Sequence, residues 1–367
     1  MLMNSRLGSL ALAFYLSAFA SLTYAEGHAV GSVLSSPAMQ IATPAHAVLI
    51  DLARAGDRLV AVGERGVIVL SDDNGQTWRQ VQVPVSVSLV SVQFVDTQRG
   101  WAVGHAGVVL ATVDGGEHWH LQLTGVQAAE IELKAAQDDK AIAADTEAAD
   151  MRISNAERLV ADGADKPFLA LHFLDAKHGL VVGSYGIAFS TQDGGGTWYS
   201  QIGHIENPSL VHLYAIAQKD HLWFLAGEQG YVARSTDDGE SFAQLQSPYN
   251  GSFFTANLRG DGALLVAGLK GHAYLSSDDG DSFHSMKVFW PTSISSSIRM
   301  PDGTVLLANQ AGGLLSSSVP NGEELNPVGK PLGIPVSSII EAVDGSLITS
   351  GVTGLSRFSH LTTDVPE

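Results

Sequence analysis

The chain has no cysteine. That absence excludes disulfides, thiolate metal sites, iron–sulfur clusters, cysteine nucleophiles and a lipidated N-terminal cysteine. Basic residues are also scarce, 20 Lys and Arg against 38 Asp and Glu, for a formal charge of −18. No broad basic face is available to displace phosphate counterions, so no nucleic-acid partner is expected. The same balance opposes docking on anionic lipid. Aromatics make up only 7% and charged residues 16%. Long apolar runs are missing with one exception, Leu7 to Leu22. At 16 residues it is shorter than the run of about 20 that a membrane helix needs. What is abundant is glycine, 39 of 367 residues, alongside a hydrophobic fraction of 45%. Many tight turns around a sizeable core are implied, and wholesale disorder is not.

The first residues read as a secretory signal. Arg6 supplies a short positive region, the apolar run follows, and Thr23-Tyr24-Ala25 offers a small-residue cleavage site before Glu26. The expected organisation is a signal peptide over 1–25, a linker over 26–36 and one folded domain over 37–367. The mature protein is expected to be exported to a periplasm or lumen, soluble, without a membrane-inserted segment, and monomeric.

An internal repeat decides the expected fold. The motif apolar-apolar-Gly-x-x-Gly followed by a short strand occurs at Gly63/Gly66, Gly104/Gly107, Gly183/Gly186, Gly227/Gly230 and Gly268/Gly271. Weaker copies stand at Asn309/Gly312 and Gly351/Gly354. The second position steps by 41, 79, 44, 41, 41 and 42 residues, one period with a single insertion. Five units carry a second motif at a fixed offset, Ser/Thr-x-Asp-x-Gly-x-Thr/Ser/His-Trp/Phe, which is the Asp-box pattern. Its acids are Asp73, Asp114, Asp193, Asp237 and Asp278, and its aromatics Trp78, Trp119, Trp198, Phe242 and Phe283. The carboxylate is expected to accept backbone N–H groups, the glycine to take positive φ, and the aromatic to wedge against a neighbouring sheet. An EF-hand calcium loop would need alternating acidic ligands, a terminal Glu and flanking helices, so no metal is expected here.

Four short strands per unit at this period predict an all-β, seven-bladed β-propeller. Few residues follow Gly354, so the last unit is expected to lack its own fourth strand. The extended segment 37–43 is expected to supply it and close blade 7. Between blades 2 and 3 the stretch of about 127–163 lacks glycine and proline until its end and is rich in alanine. Ile131, Ala135, Ile142, Ala149, Ile153, Ala156 and Val160 give it an approximate helical stripe. It is expected to form one bent helix or a helical hairpin.

The segments GWAVGHAGVVLATVDGGEHWHLQ (100–122) and HGLVVGSYGIAFSTQDGGGTWYSQ (178–201) resemble the photosystem II stability/assembly factor family. The resemblance covers about residues 47–318. It implies a seven-bladed lumenal or periplasmic propeller that acts without catalysis, as a scaffold binding a membrane protein subunit during assembly. Photosynthetic members of that family use a basic surface patch, whereas this chain is acidic and carries the helical insertion.

Strand alternation places the A–B turns and Asp-boxes on one rim. The Gly-x-x-Gly turns and the blade-to-blade connections fall on the other, where propeller ligands usually sit. The expected binding rim displays Glu64, Arg65, His105, Tyr185, Glu228, Gln229, Lys270 and Gln310, with Tyr249, Phe289 and Trp290 from the connections. Exposed aromatics beside mixed polar groups suit a protein partner, in particular a membrane protein or membrane complex. Phe289 and Trp290 can equally pack between blades.

The alternative class is a carbohydrate-active enzyme, a sialidase-like or other glycoside hydrolase, because Asp-boxes occur there too. Arg54, Arg58, Arg99, Arg259 and Arg299 fall near the Asp-box rim and only Arg65 on the other, so a converging arginine triad is not expected. Glu64 and Glu228 are the carboxylates that remain for a two-acid mechanism. No catalytic residue is assigned. No cofactor is expected: the Gly-x-x-Gly turns join strands and lack the helix N-terminus of a phosphate loop. His118 and His120 alternate around Trp119, without a third metal ligand in the sequence.

Overall fold

The computed structural model describes residues 32–143, 145–317 and 322–359. Within them the strands form seven sheets in chain order. Sheet 1 runs Leu49–Ala55, Arg58–Gly63, Ile68–Ser71 and Arg79–Gln80, each antiparallel to the next. Sheet 2 repeats this with Leu89–Phe94, Gly100–Gly104, Val109–Thr112 and His120–Leu123. Sheets 3, 4 and 5 have the same four-strand order; sheet 6 has five strands and sheet 7 three. The first strands of successive sheets contact one another all the way round, including sheet 7 with sheet 1. They form the inner wall of a closed β-propeller.

The period of two within each strand builds the ring. Val60 and Val62 point into a cluster shared with Val92, Ala102 and Leu110 of sheet 2. Their neighbours Leu59 and Ala61 point the opposite way, onto Ala342 and Ile348 of sheet 7. A strand pressed between two sheets must be apolar at every position, which is why the second strands read as unbroken hydrophobic runs. In sheets 1, 3, 4 and 5 the outer strands are two-residue pieces, with both residues exposed in Ala243–Gln244 and His284–Ser285. At the seam between sheets 7 and 1, the hydroxyl of Ser338 donates to Asp51 (2.8 Å) and that of Ser350 to the Ile50 carbonyl (3.2 Å). Asp51 also accepts the Val92 N–H (2.9 Å), so one carboxylate joins three sheets; burial pushes its pKa up despite these bonds.

The five acidic turns share one hydrogen-bond scheme. In the first, the Ser71 hydroxyl donates to Asp73 (2.8 Å) and accepts the Gly75 N–H (2.8 Å). Asp73 also accepts the Thr77 N–H (2.8 Å) and hydroxyl (2.6 Å). In the second turn His118 stands where the others carry Thr or Ser, and its Nδ1 meets that turn's own carboxylate, Asp114, at 2.7 Å. These bonds favour the ionised acid: the Thr77 hydroxyl and N–H hold Asp73 at about 2, and the Ser282 hydroxyl and N–H hold Asp278 at about 2. A carboxylate depressed in the fold gives stability that is complete above its unfolded value near 4 and is lost as pH falls from there towards 2. The urea midpoint is therefore expected to hold from pH 7 to 5 and to drop between about pH 4 and 2. In Asp73→Asn that drop should be shallower.

Two expectations are corrected. Residues 37–43 do not complete sheet 7. They run along the outer edge of sheet 1, where the Ala38 N–H donates to Val83 O (3.0 Å) and the Ile41 N–H to Gln80 Oε1 (3.0 Å). Ile41 packs into the seam shared by sheets 7 and 1, and the next residues hold the turn of sheet 7, Leu355 N–H donating to Ala45 O (2.8 Å). Pro37 has no N–H to donate, and the side chain of Gln80 replaces a regular ladder bond. The segment thus closes the ring as a clasp, and no strand pairs with the free edge of Ser356–Phe358 among the described residues. The expected signal, 1–25, lies outside the described residues, as does most of the linker. None of the described helices is long and apolar enough to cross a membrane.

The insertion is a helical hairpin, α1 (Gly125–Lys140) and α2 (Thr146–Asp162). Thr124 and Gln127 form a capping box that starts α1, two residues before the expected boundary. The second correction concerns its buried face. Ile142 and Val160 are exposed, while Ala128, Ala129, Glu132, Ala136 and Ala156 are buried. Small side chains let α1 lie flat on the outer strand of sheet 3, Tyr199–Ser200. Buried Glu132 is held by Arg152 of α2 through two bonds (2.9 and 3.0 Å) and by the Ser200 hydroxyl.

Candidate functional site: the glycine-turn rim

The Gly-x-x-Gly turns form one rim because of how each is built. Gly104 is extended, and a Cβ on it would overlap the Ser88 carbonyl of the preceding strand. Between the two glycines lies one 3-10 turn whose middle residue has positive φ: Arg65 (56°), Ala106 (58°), Tyr185 (54°), Gln229 (56°) and Lys270 (55°). Sequence reasoning placed four of these residues on the rim but did not foresee their left-handed backbone. A non-glycine in the left-handed region costs about 1 kcal/mol or more and points its side chain off the ring. Four of the eleven expected rim residues, Arg65, Tyr185, Gln229 and Lys270, occupy this one position.

The structure joins some of the expected residues and separates others. Tyr185 is 55% exposed and heads an aromatic row. Its ring lies 4.9 Å from His212, which lies 6.1 Å from Tyr214, which lies 5.6 Å from Phe254. Tyr214 and Phe254 belong to first strands, so the row descends from the rim to the inner wall. Glu228 joins it, accepting the His212 N–H (3.4 Å). Burial, and then the Glu228 charge, raise the pKa of Tyr214. His212, Tyr214 and Phe254 were missed because they lie on another repeat from Tyr185. Their signal was an aromatic at alternate strand positions, where the other copies have small or aliphatic residues.

Tyr249 is not free to meet a ligand. It packs between Phe253, His272 and Tyr274, and its hydroxyl donates to Leu269 O (3.0 Å). Trp290 is half-buried against Gly313 and the layer between sheets 5 and 6, so for this residue the packing alternative holds. Phe289 is 53% exposed, with Lys287 Nζ 5.7 Å from its ring centre. Glu64, Arg65, His105, Gln229, Lys270 and Gln310 are exposed. No side-chain hydrogen bond or ion pair links them to one another among the described residues. The backbones at Lys270 and Gln310 are tied together through Ser293, which accepts both N–H groups.

The helical hairpin rises from this same rim: Gly125 packs against Ala106 and Gly107 of the second turn. Between α2 and the loops of sheets 3 and 4 it leaves a cleft of about 490 Å³. Ile187, Ile202 and Leu210 are among the apolar residues lining it, with Tyr185, Met151 and Pro208. Lys166 lies over the Tyr185 ring at 5.2 Å and pairs with Asp162 and Asp165. Among the described residues, no group of three or more His, Asp or Glu is arranged to hold a metal.

Comparison with known proteins bears on this geometry. Residues 70–138 and 150–327 match the sequence model of a family described as "Photosynthesis system II assembly factor YCF48". Among solved structures, the fold is similar to "YCF48 bound to D1 peptide", at 16% identity and a TM-score of 0.60, covering 90% of this chain and 100% of that one. YCF48 from Cyanidioschyzon merolae gives 14% identity and a TM-score of 0.58, covering 88% and 98%. The WD40 propeller domain of Doa1 gives 13% and 0.60, covering 89% and 96%. At these identities the structural likeness establishes the fold alone. No curated protein matches the chain.

Proposed function

Because the chain belongs to the photosynthesis system II assembly factor YCF48 family, we propose that it is an exported, non-enzymatic scaffold whose glycine-turn rim binds a polypeptide segment of a membrane protein complex during assembly or operation. The observation that carries the reading is the aromatic row headed by exposed Tyr185, on the rim where five of the seven repeats place a non-glycine residue at positive φ. Aromatic anchors with a polar surround are what protein interfaces use. A propeller of similar fold has been solved with a D1 peptide, which supports polypeptide rather than sugar as the ligand class. Export rests on the N-terminal signal pattern. The strong negative charge fits capture of a protein segment better than of a lipid surface.

Trp290 and Tyr249 help to hold the ring, so the informative variant combines the two exposed aromatics, Tyr185→Ala with Phe289→Ala. Its thermal midpoint should match the parent protein. Co-purification of the partner from detergent-solubilised native membranes should fall about tenfold or more, the scale of one lost interface hot spot. Unchanged co-purification would remove the rim from the account.

A further inference from the structure

We propose that the cleft between α2 and the loops of sheets 3 and 4 is the groove that takes an apolar segment of the partner polypeptide, with a carboxylate of that segment set against Arg158. The inference rests on the protein-binding reading above and names the chemistry that would be recognised. The cleft, about 490 Å³, is large enough for a few side chains. Its apolar surface is open rather than sealed: Met151 is 62% exposed and Tyr185 55%.

Leu210 gives the groove a built element. It has φ of 48°, a conformation that a bulky residue avoids. It is held there by Asn207, whose side chain accepts the Val211 N–H (3.0 Å) and donates to the Val211 carbonyl (3.0 Å). The loop thereby sets an apolar side chain against the cleft at the expense of backbone strain.

Charge selects the occupant. The titratable groups lining the cleft are Arg152, Arg158, Lys166, Glu132 and Asp162. Asp139 and Asp165 stand beside them as further partners of Arg152 and Lys166, so the selection rests on whichever cation is left unpaired. Arg152 is committed to Glu132 and Asp139, and Lys166 to Asp162 and Asp165. Arg158 is exposed and makes no ion pair among the described residues. An acidic segment is repelled by most of this protein and finds one uncommitted guanidinium beside an apolar trough, and Arg suits a carboxylate through its paired N–H donors.

The test is a selection of phage-displayed random heptapeptides on the full chain, followed by anisotropy of the best synthetic peptide. Enriched peptides should combine two or more apolar residues with Asp or Glu. Arg158→Glu should weaken the selected peptide about tenfold or more and, on reselection, favour Lys or Arg. Leu210→Asp should abolish enrichment while retaining the fold, because aspartate tolerates the left-handed region better than leucine. Far-UV circular dichroism and melting check both variants. The proposal is overturned if no peptide is enriched, if enriched peptides ignore both substitutions, or if decanoate binds the cleft where peptides do not. Failure here with Tyr185- and Phe289-dependent co-purification intact would displace only the groove. Loss of that co-purification result with the selection intact would displace the membrane partner and leave the groove.

Discussion

Gly230→Ala is expected to destabilise the protein by more than about 4 kcal/mol, whereas Gly163→Ala, whose φ of 76° and ψ of −146° strain any Cβ but leave it open space, should cost about 1–3 kcal/mol. Both glycines have nearly the same positive φ, 74° and 76°. The difference is what a methyl group would meet. At Gly163, which ends α2, nothing lies within 4 Å. At Gly230 the new Cβ would overlap the carbonyl oxygen of Tyr249, and behind it the carbonyl carbon. Backbone cannot rotate away as a flexible side chain can. Tyr249 is itself fixed by its hydroxyl bond to Leu269 O and by three rings. The clash must therefore move either the rim turn that presents Glu228 and Gln229 or the connection to sheet 5. Urea unfolding of the two variants separates the steric part from the φ part. Equal losses would mean that the connection at Tyr249 yields.

Trp119→Ala should cost about 4 kcal/mol, the range for emptying a large aromatic from a packed interior. Trp119 is 6% exposed in the layer between sheets 1 and 2, meets Phe94 edge-on at 6.0 Å and donates its indole N–H to Gly116 O (2.9 Å). The conservative variant is the sharper prediction. Phe242 and Phe283 fill the same place in sheets 4 and 5, so Trp119→Phe should lose only about 1 kcal/mol, for one hydrogen bond and some volume. Thermal denaturation of the pair checks this. If both variants lost the same amount, the indole N–H rather than the wedge would carry the stability.

The sequence makes the architecture legible where one rule repeats. The glycine and Asp turns recur with fixed spacing, and each wedge aromatic lies between the sheets its register assigns. Legibility ends where contacts come from unlike repeats. Residues 37–43 look like a strand by composition, yet Gln80 and Val83 capture them at sheet 1. The expected stripe holds at Ala156 and Ile131 and misses at Ile142 and Val160, because the packed face is also set by buried Glu132 with Arg152, a polar pair that hydrophobic periodicity scores as surface. At the site, Tyr185 was found from its turn. His212, Tyr214 and Phe254 come from two other repeats, and only the folded ring aligns them. Trp290 and Tyr249 lie in blade-to-blade connections, as the spacing assigns them, but their rings are spent on packing. No spacing rule separates an aromatic that packs from one that waits for a partner.

The central claim is that the glycine-turn rim, and not the Asp-turn rim, meets a protein. The direct measurement puts a photo-crosslinking benzoylphenylalanine at Phe289 in one protein and, as the opposite-rim control, at exposed Gln76 in another. Each is irradiated in native membranes and the adducts are identified by mass spectrometry. A membrane protein captured from position 289 and absent at position 76 is the predicted result. Capture from position 76 alone, or from neither position, would contradict the account.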